Sequence, residues 1–477
     1  MRFTPALLVA TVVFPWCAAA TPPARDAATL YAQLCANCHG ADLEGGKTSS
    51  LLDGKWSHAR DDAGLARVIR QGVRRVGMPG FAATLNDAET RALVVYIREA
   101  SQRRTAPSAR HTYELPAEPQ SSKHHAYRIE KVVTDLDVPW SLAFLPDGTL
   151  LFTERNGRIS SAAPAAPGEL WTVQPIADIP PVWVRDEGGL MALAVHPDYA
   201  HNGWLYLTLS DPGESDTGNT KLVRGRIRDG RWTDQETLLE APRASYTSLG
   251  VNFGGRVVFA GEYIYFSFGE RGHVGQAQDL SLPNGKIHRL HADGRIPADN
   301  PFVNTPGALP SIWSYGHRNP QGLAVHPATG ELWESEHGPR GGDELNYIRR
   351  ARNYGWPLVT HGVNYDGTSV SPLTEKEGLE PPVRHWTPSI AVSPLRFYSG
   401  DALPKWKNHL FLGTLAQQEL RRFEVKGNRV IDEEIILKNR GRVRDIITGP
   451  DGSLYVALEI PGPDTPDHII RLVPIGR

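Results

Sequence analysis

The residues best suited to chemistry are Cys35-Ala36-Asn37-Cys38-His39, two thiols one turn apart followed at once by an imidazole. Covalent c-type haem attachment requires that order. The sulfurs add to the haem vinyl groups as thioethers, and the adjacent His39 lies under the iron as an axial ligand. A Cys-x-x-Cys pair alone would also serve as a redox dithiol or as half of a zinc site. No second cysteine pair exists to complete such a zinc site, the remaining thiol being Cys17. A thioether on the opposite face raises haem potential and suits electron transfer, and the methionines are Met1, Met78 and Met191. Met78 is the candidate, because Gly77-Met78-Pro79-Gly80 reads as a non-helical loop whose backbone Pro79 fixes. Its other use would be to fill a small core gap.

Two helices must position these ligands. Asp26 to Leu34 brings Leu30, Tyr31 and Leu34 to one face just before the haem motif. A later helix opened by Asn86, with Glu89 three residues on as in a capping box, carries Leu93, Val94 and Ile97 at helical spacing. The span 26–102 resembles a small class I cytochrome c, with Cys35, Cys38, His39 and Met78 standing where that family holds its haem. Ahead of it, residues 1–20 read as an export leader: Arg2 is the positive start, Leu7 to Val13 the apolar run, and Ala18-Ala19-Ala20 the cleavage site. The run is too short to span a bilayer. The expectation is a periplasmic or secreted protein without a membrane span once the leader is removed. From 103 to 126 the chain turns to Ser, Pro, Arg, Gln and His without periodicity, as in a solvated linker.

The 477 residues, 40% of them hydrophobic, suffice for one small and one large domain. A formal net charge of -2 with no basic run excludes nucleic acid as a natural partner. From 127 to 477 short β-branched and aromatic runs alternate with Pro, Asp and Gly turns, the pattern of an all-β unit. A loose repeat recurs at Trp140 to Glu154, Leu190 to Leu209, Gly255 to Glu270, Gly322 to Glu336, Leu395 to Leu415 and Ile446 to Glu459. Its period of roughly 60 residues predicts a six-bladed β-propeller with long loops, the alternative being a pair of β-sandwiches. The predicted fold is thus a small all-α cytochrome c domain followed by an all-β six-bladed β-propeller.

Propellers bind ligands at the mouth of the central channel, so polar clusters at strand ends matter most. One is Gly316-His317-Arg318-Asn319-Pro320-Gln321-Gly322. A second, Gly338-Pro339-Arg340-Gly341-Gly342-Asp343-Glu344, offers carbonyls and carboxylates to a hard cation such as Ca²⁺. A third, Arg440, Arg442 and Arg444, suits a polyanion. Together with 188–198, 296–302, 353–357 and 442–445, these motifs resemble the soluble quinoprotein aldose sugar dehydrogenases, six-bladed propellers that use pyrroloquinoline quinone and Ca²⁺. The resemblance implies Gly338 and Pro339 as backbone-carbonyl ligands of Ca²⁺. It implies Arg318 and Asn319 as cofactor-site residues, Arg442 and Arg444 as the clamp on the quinone carboxylates, and Asp343 and Trp386 as neighbours of the site.

Two positions depart from that family. Its general-base His, before a Phe-Gly-Gly-Arg turn, is here Asn252, and its Gln in the preceding blade loop is Glu187. Asn has no proton-accepting group near neutral pH, and losing a general base costs roughly 10²- to 10⁴-fold in rate. Glu187 could take over as base if its loop faces the quinone. The leading expectation is an exported quinohaemoprotein dehydrogenase that oxidises a sugar or related alcohol. Its electrons would pass to the fused haem and on to an acceptor of the respiratory chain. The alternatives are an electron-transfer or binding protein with a catalytically silent propeller, and a lactonase-like hydrolase.

Overall fold

The computed structural model describes residues 25–105, 113–462 and 465–475. The expected leader, with Met1 and Cys17, lies outside the described residues, as does 106–112 of the expected linker. Among the described residues no helix is long and apolar enough to cross a membrane.

The N-terminal part is helical. Helix Ala27–Leu34 is capped by Asp26, whose carboxylate accepts from the Thr29 N–H. A four-residue turn, Ala36–His39, carries the haem motif. Helix Asp62–Gln71 is capped by Asp61, and helix Asp87–Thr105 follows. The capping box forms as expected: Asn86 Oδ1 accepts from Glu89 N at 2.8 Å and Glu89 Oε2 accepts from Asn86 N at 3.0 Å. Leu30, Tyr31, Leu93, Val94 and Ile97 pack in one core with Leu34 at its edge. Arg25 ties the first helix to the last through Glu89, at 2.8 Å.

The remainder is six antiparallel sheets arranged as a propeller. The six sequence repeats are the first two strands of the six blades. Pro139–Phe144 pairs with Leu150–Glu154, and Gly322 to Glu336 becomes Pro320–Val325 paired with Leu332–Glu336. First strands of successive blades touch around the ring, and the sixth, Arg442–Thr448, closes on the first. Strands near the axis are buried on both faces, as in Leu150–Glu154 and Leu410–Thr414, which is why they read as short, largely apolar runs bounded by turns. The outermost strand Arg429–Lys438 is largely solvated and charged. The repeat could not show how the ring is locked. Strand Ala126–Leu136 crosses from the N-terminal side to pair with Asp467–Pro474, with Ile129 opposite Leu472 and Val133 opposite Ile469. The sixth sheet therefore has five strands, with Gln120–Ser121 at its outer edge.

At the axis, Arg256 of the third blade is 3% exposed and reaches three other blades. Its Nη1 donates to Asp445 Oδ1 of the sixth blade at 2.9 Å and its Nε to the Gln321 carbonyl of the fourth at 3.0 Å. Its guanidinium carbon lies 4.3 Å from the ring centre of Trp140 in the first. Asp445 also accepts from Leu142 N at 2.7 Å and Ser141 Oγ at 3.2 Å. Removing one partner strands a buried charge, which costs about 3–5 kcal/mol, whereas replacing both by apolar groups costs far less. Arg256→Met or Asp445→Leu alone should therefore lower the urea midpoint sharply, and the double variant should recover much of the loss. Single variants with an unchanged midpoint would contradict this role.

Candidate functional site

Strand direction sets where the candidate residues lie. In each blade the turn between strands two and three, and the link from strand four to the next blade, emerge at the same end of the propeller. Glu187, Asn252, Arg318 and Asn319 lie on inter-blade links, and Gly338 and Pro339 on the turn between Leu332–Glu336 and Asp343–Ile348. Arg442 and Arg444 begin the sixth blade's first strand, and Trp386 ends Arg384–Trp386. One mouth gathers them all.

Asn252 is 5% exposed and has φ 54°, a left-handed conformation that Asn tolerates better than most residues. Its N–H donates to Glu187 Oε2 at 2.9 Å, and its side-chain amide donates to Glu270 Oε1. Two carboxylates thus flank the position. Glu187 is exposed at the mouth. Glu270 is buried, its second oxygen has no partner, and burial raises its pKa although the Asn252 amide opposes the shift. Arg271 lies 3.4 Å from the ring centre of Phe253 and donates to the Leu249 carbonyl at 2.6 Å. Burial pulls its pKa down to about 9, against the pull of Glu187 and Glu270. In the sequence Glu270 marks only the end of the third repeat. Its signal was a Gly269-Glu270-Arg271-Gly272 turn directly after the apolar strand Tyr263–Phe268.

The cationic side of the mouth centres on His337. Burial first, then Arg318, Arg444 and Arg442, push its pKa down to about 3, which keeps the ring neutral. Its Nε2 has no partner. Arg318 Nη1 donates to the Gly338 carbonyl at 2.9 Å, and its guanidinium carbon lies 5.3 Å from the ring centre of Trp356. Asn319 is fully buried; its Oδ1 accepts from Gly254 N at 2.9 Å, and its Nδ2 donor is left unpartnered. Gly254 must be glycine here: φ is 65°, and a Cβ would lie 2.7 Å from Gly269 N. Arg442 and Arg444 share Glu459 Oε2, the first at 3.0 Å. Burial would raise the Glu459 pKa, but Arg444 and Arg442 outweigh it and hold the carboxyl ionised. Glu459 does not hold Arg440, so the expected trio acts as a pair. A concentration of arginines with spare buried donors at Asn319 and at Trp386 Nε1 is what an acceptor-rich polyanion requires.

The carboxylates of the glycine-rich turn do not join its carbonyls, because consecutive residues on a strand face opposite ways. Asp343 is buried and accepts from Gly338 N at 3.0 Å, Ile390 N at 2.8 Å, Ala391 N at 2.6 Å and Ser389 Oγ. It fixes the turn that carries Gly338 and Pro339. Glu344 instead meets Asn346, which also donates to Glu334 at 3.0 Å and Glu336 at 3.2 Å. There, His317, Glu334 and Glu336 bring ligand atoms within 4.8 Å of one another, a buried set with the hard donors a cation would need.

In the helical part, Cys35 and Cys38 are free thiols on either side of the turn, Cys35 half-buried and Cys38 exposed. Cys35 caps the first helix through its N–H to the Tyr31 carbonyl, and the His39 N–H returns to Cys35 at 3.0 Å. His39 Nδ1 and Trp56 Nε1 are buried without partners. Met78 sits in a small loop closed by a bridge to Val73, Val73 N donating to the Met78 carbonyl at 3.0 Å. Gly72 packs on that carbonyl so closely that a Cβ would lie 2.5 Å away. Unpaired thiols, a neighbouring imidazole and a fixed thioether loop fit a covalently held haem.

The helical domain rests on the same propeller mouth. Glu99 of helix Asp87–Thr105 grips Arg340, the residue after Pro339, at 2.9 and 2.8 Å. Arg91 donates to the carbonyls of Ser371 and Pro372, both at 3.0 Å. Ala27, Ala92 and Val95 bury Val363 between them.

Residues 136–464 match the family model described as Glucose / Sorbosone dehydrogenase, and residues 22–97 match the model of Cytochrome C oxidase, cbb3-type, subunit III. Aldose sugar dehydrogenase YliI of Escherichia coli is 42% identical over 337 residues, covering 69% of this chain and 89% of that protein. The crystal structure of the soluble aldose sugar dehydrogenase of Escherichia coli in its apo form aligns with a TM-score of 0.67 at 38% identity, over 73% of this chain and 100% of that one. The PQQ-bound form of an aldose sugar dehydrogenase from Streptomyces coelicolor aligns with a TM-score of 0.59 at 26% identity, over 76% and 99%.

Asp343→Ala would leave the Gly338, Ile390 and Ala391 N–H groups without their acceptor, at about 1–3 kcal/mol for each buried donor stranded. A marked fall in Tm is expected, with partial recovery in Asp343→Asn. An unchanged Tm in Asp343→Ala would remove Asp343 from this role.

Proposed function

The chain belongs to the glucose/sorbosone dehydrogenase family, with a cytochrome c domain ahead of its propeller, and on that premise we propose that it is an exported quinohaemoprotein dehydrogenase. It oxidises a sugar or related alcohol with pyrroloquinoline quinone and passes the electrons to its own c-type haem. The observation that carries this reading is convergence: Arg318, bonded to the Gly338 carbonyl, and the pair Arg442 and Arg444 on Glu459 stand at the very mouth on which the haem domain rests. The leader-like residues 1–20 support export.

When bound, the quinone supplies a two-electron hydride acceptor and the haem a one-electron relay. The chain's own residues do the rest. Arg442, Arg444 and Arg318 neutralise the quinone carboxylates, with the free Asn319 amide and Trp386 indole as further donors. The Gly338 and Pro339 carbonyls would hold Ca²⁺, the Gly338 oxygen also accepting from Arg318, and Asp343 keeps their turn in place. Cys35 and Cys38 would tether a haem, and His39 and Met78 are the residues that would hold its iron. Glu187, exposed beside Asn252, would take the proton of the sugar hydroxyl. Glu270 positions Asn252 from behind. An acceptor of the respiratory chain would take the electrons from the haem.

Loading the full chain with quinone and Ca²⁺ and offering an aldose panel tests this reading: sugar oxidation is expected, and its absence with every aldose and polyol would favour a silent propeller. For the haem, Met78→Ala should abolish the sulfur-to-iron charge-transfer band and lower the redox potential. An unchanged band would overturn the Met78 assignment. For the base, Glu187→Gln should lower kcat by roughly 10²- to 10⁴-fold with quinone affinity nearly intact, and Glu270→Gln should cost less. Full turnover in Glu187→Gln with loss in Glu270→Gln would move the role to the buried carboxylate.

A further inference from the structure

The space above the mouth is shared between the two domains. A cavity of about 1200 Å³ runs from His337, Gly338 and Pro339 to a far wall built by Glu99, Gln102 and Arg103 of the haem domain's last helix. Neither the pair Glu187 and Asn252 nor Arg318, Arg442 and Arg444 lines it, so this is space beside the reacting groups, reached past Gly338 and Pro339. The fifth blade adds Gln417, Gln418 and Asn439 to the wall, beside Lys438. Gln418 and Asn439 are held in left-handed backbone at φ 52° and 56°, and Asn439 N donates to the Gln418 carbonyl at 2.9 Å. The two domains meet in this wall, with Gln417 Nε2 donating to Gln102 Oε1 at 3.4 Å. Gln418 Oε1 is buried without a partner. Side-chain amides offer a donor and an acceptor side by side, which matches the paired hydroxyls of a carbohydrate. The ion pair of Glu99 with Arg340 holds the helical wall against the turn that carries Gly338 and Pro339.

We propose that the haem domain completes the substrate site: Gln102, with Gln417 and Gln418, forms a subsite for sugar units beyond the one oxidised. Docking through Glu99 and Arg340 assembles it. The inference rests on the reading of the mouth as a sugar dehydrogenase site. It makes the protein selective for oligosaccharides over single sugars, and it makes that selectivity depend on the docked haem domain.

Calorimetric titration of the full chain with maltotriose and with glucose tests it. The native protein should bind maltotriose at least about tenfold more tightly, the worth of one well-made hydrogen-bonding pair. Gln102→Ala and Gln417→Ala should each erase most of that preference, as should Glu99→Arg, which undocks the wall. Because the first two substitutions lie on different domains, misfolding of one domain cannot produce both losses. A native protein without the preference, or both alanine variants retaining it, would overturn the subsite. Titration needs no turnover, so a preference that disappears in the variants while no aldose is oxidised would leave the subsite standing and sink the dehydrogenase reading alone.

Discussion

The buried pair of Arg256 and Asp445 is the constraint on which the propeller depends. A propeller ring has no continuous core along its axis; its blades touch edge to edge, and the channel between them must be filled or flooded. Here one guanidinium from the third blade spans the channel to the sixth, touches the fourth through Gln321 and lies over Trp140 of the first. Charge burial on this scale is tolerable only because the remaining valences of Asp445 are met by Leu142 N and Ser141 Oγ. The pair also sets the floor of the mouth. Arg256 lies three residues after Phe253 and four after Asn252, and Asp445 follows Arg444 directly, so both sides of the site are anchored to the same axial contact.

Above that floor the mouth is divided electrostatically. On one side Arg318, Arg442 and Arg444 crowd a neutral His337, their charge met in part by Glu459. On the other, Glu187 and Glu270 bracket Asn252 and face the buried Arg271. The first side suits the polyanionic cofactor of the proposed reaction and the second its proton transfer. The haem domain then rests on the rim, gripping Arg340 next to the proposed cation ligands. One contact thereby fixes the helical domain over the turn that carries Gly338 and Pro339.

Much of this was legible in the sequence, for physical reasons. Cys35, Cys38 and His39 could be read because haem attachment fixes their spacing. The blades could be read because each inner strand pair is buried on both faces and leaves an apolar run bounded by turns, as at Trp140 to Glu154. Placement of Arg318, Gly338 and Arg442 at one mouth followed from their positions at strand ends. What could not be read was long-range pairing: strand Ala126–Leu136 closing the sixth blade, Arg256 meeting Asp445 across the axis, and Glu99 meeting Arg340. Local pattern carries no information on such partners. Glu270 escaped for a related reason, since its importance lies in facing Asn252 from a different turn. Asp343 and Glu344, adjacent in sequence and grouped as cation-binding carboxylates, are sent to opposite faces by the strand they begin.

The central claim is that electrons taken from a sugar at the propeller mouth reach the haem of the same chain. Mixing the quinone- and Ca²⁺-loaded full chain with an aldose in a stopped-flow instrument, and following the absorbance of reduced haem over a range of protein concentrations, measures it directly. Transfer within one chain predicts haem reduction whose first-order rate does not change with protein concentration. A rate that rises in proportion to protein concentration, or sugar oxidation with the haem left oxidised, would contradict it.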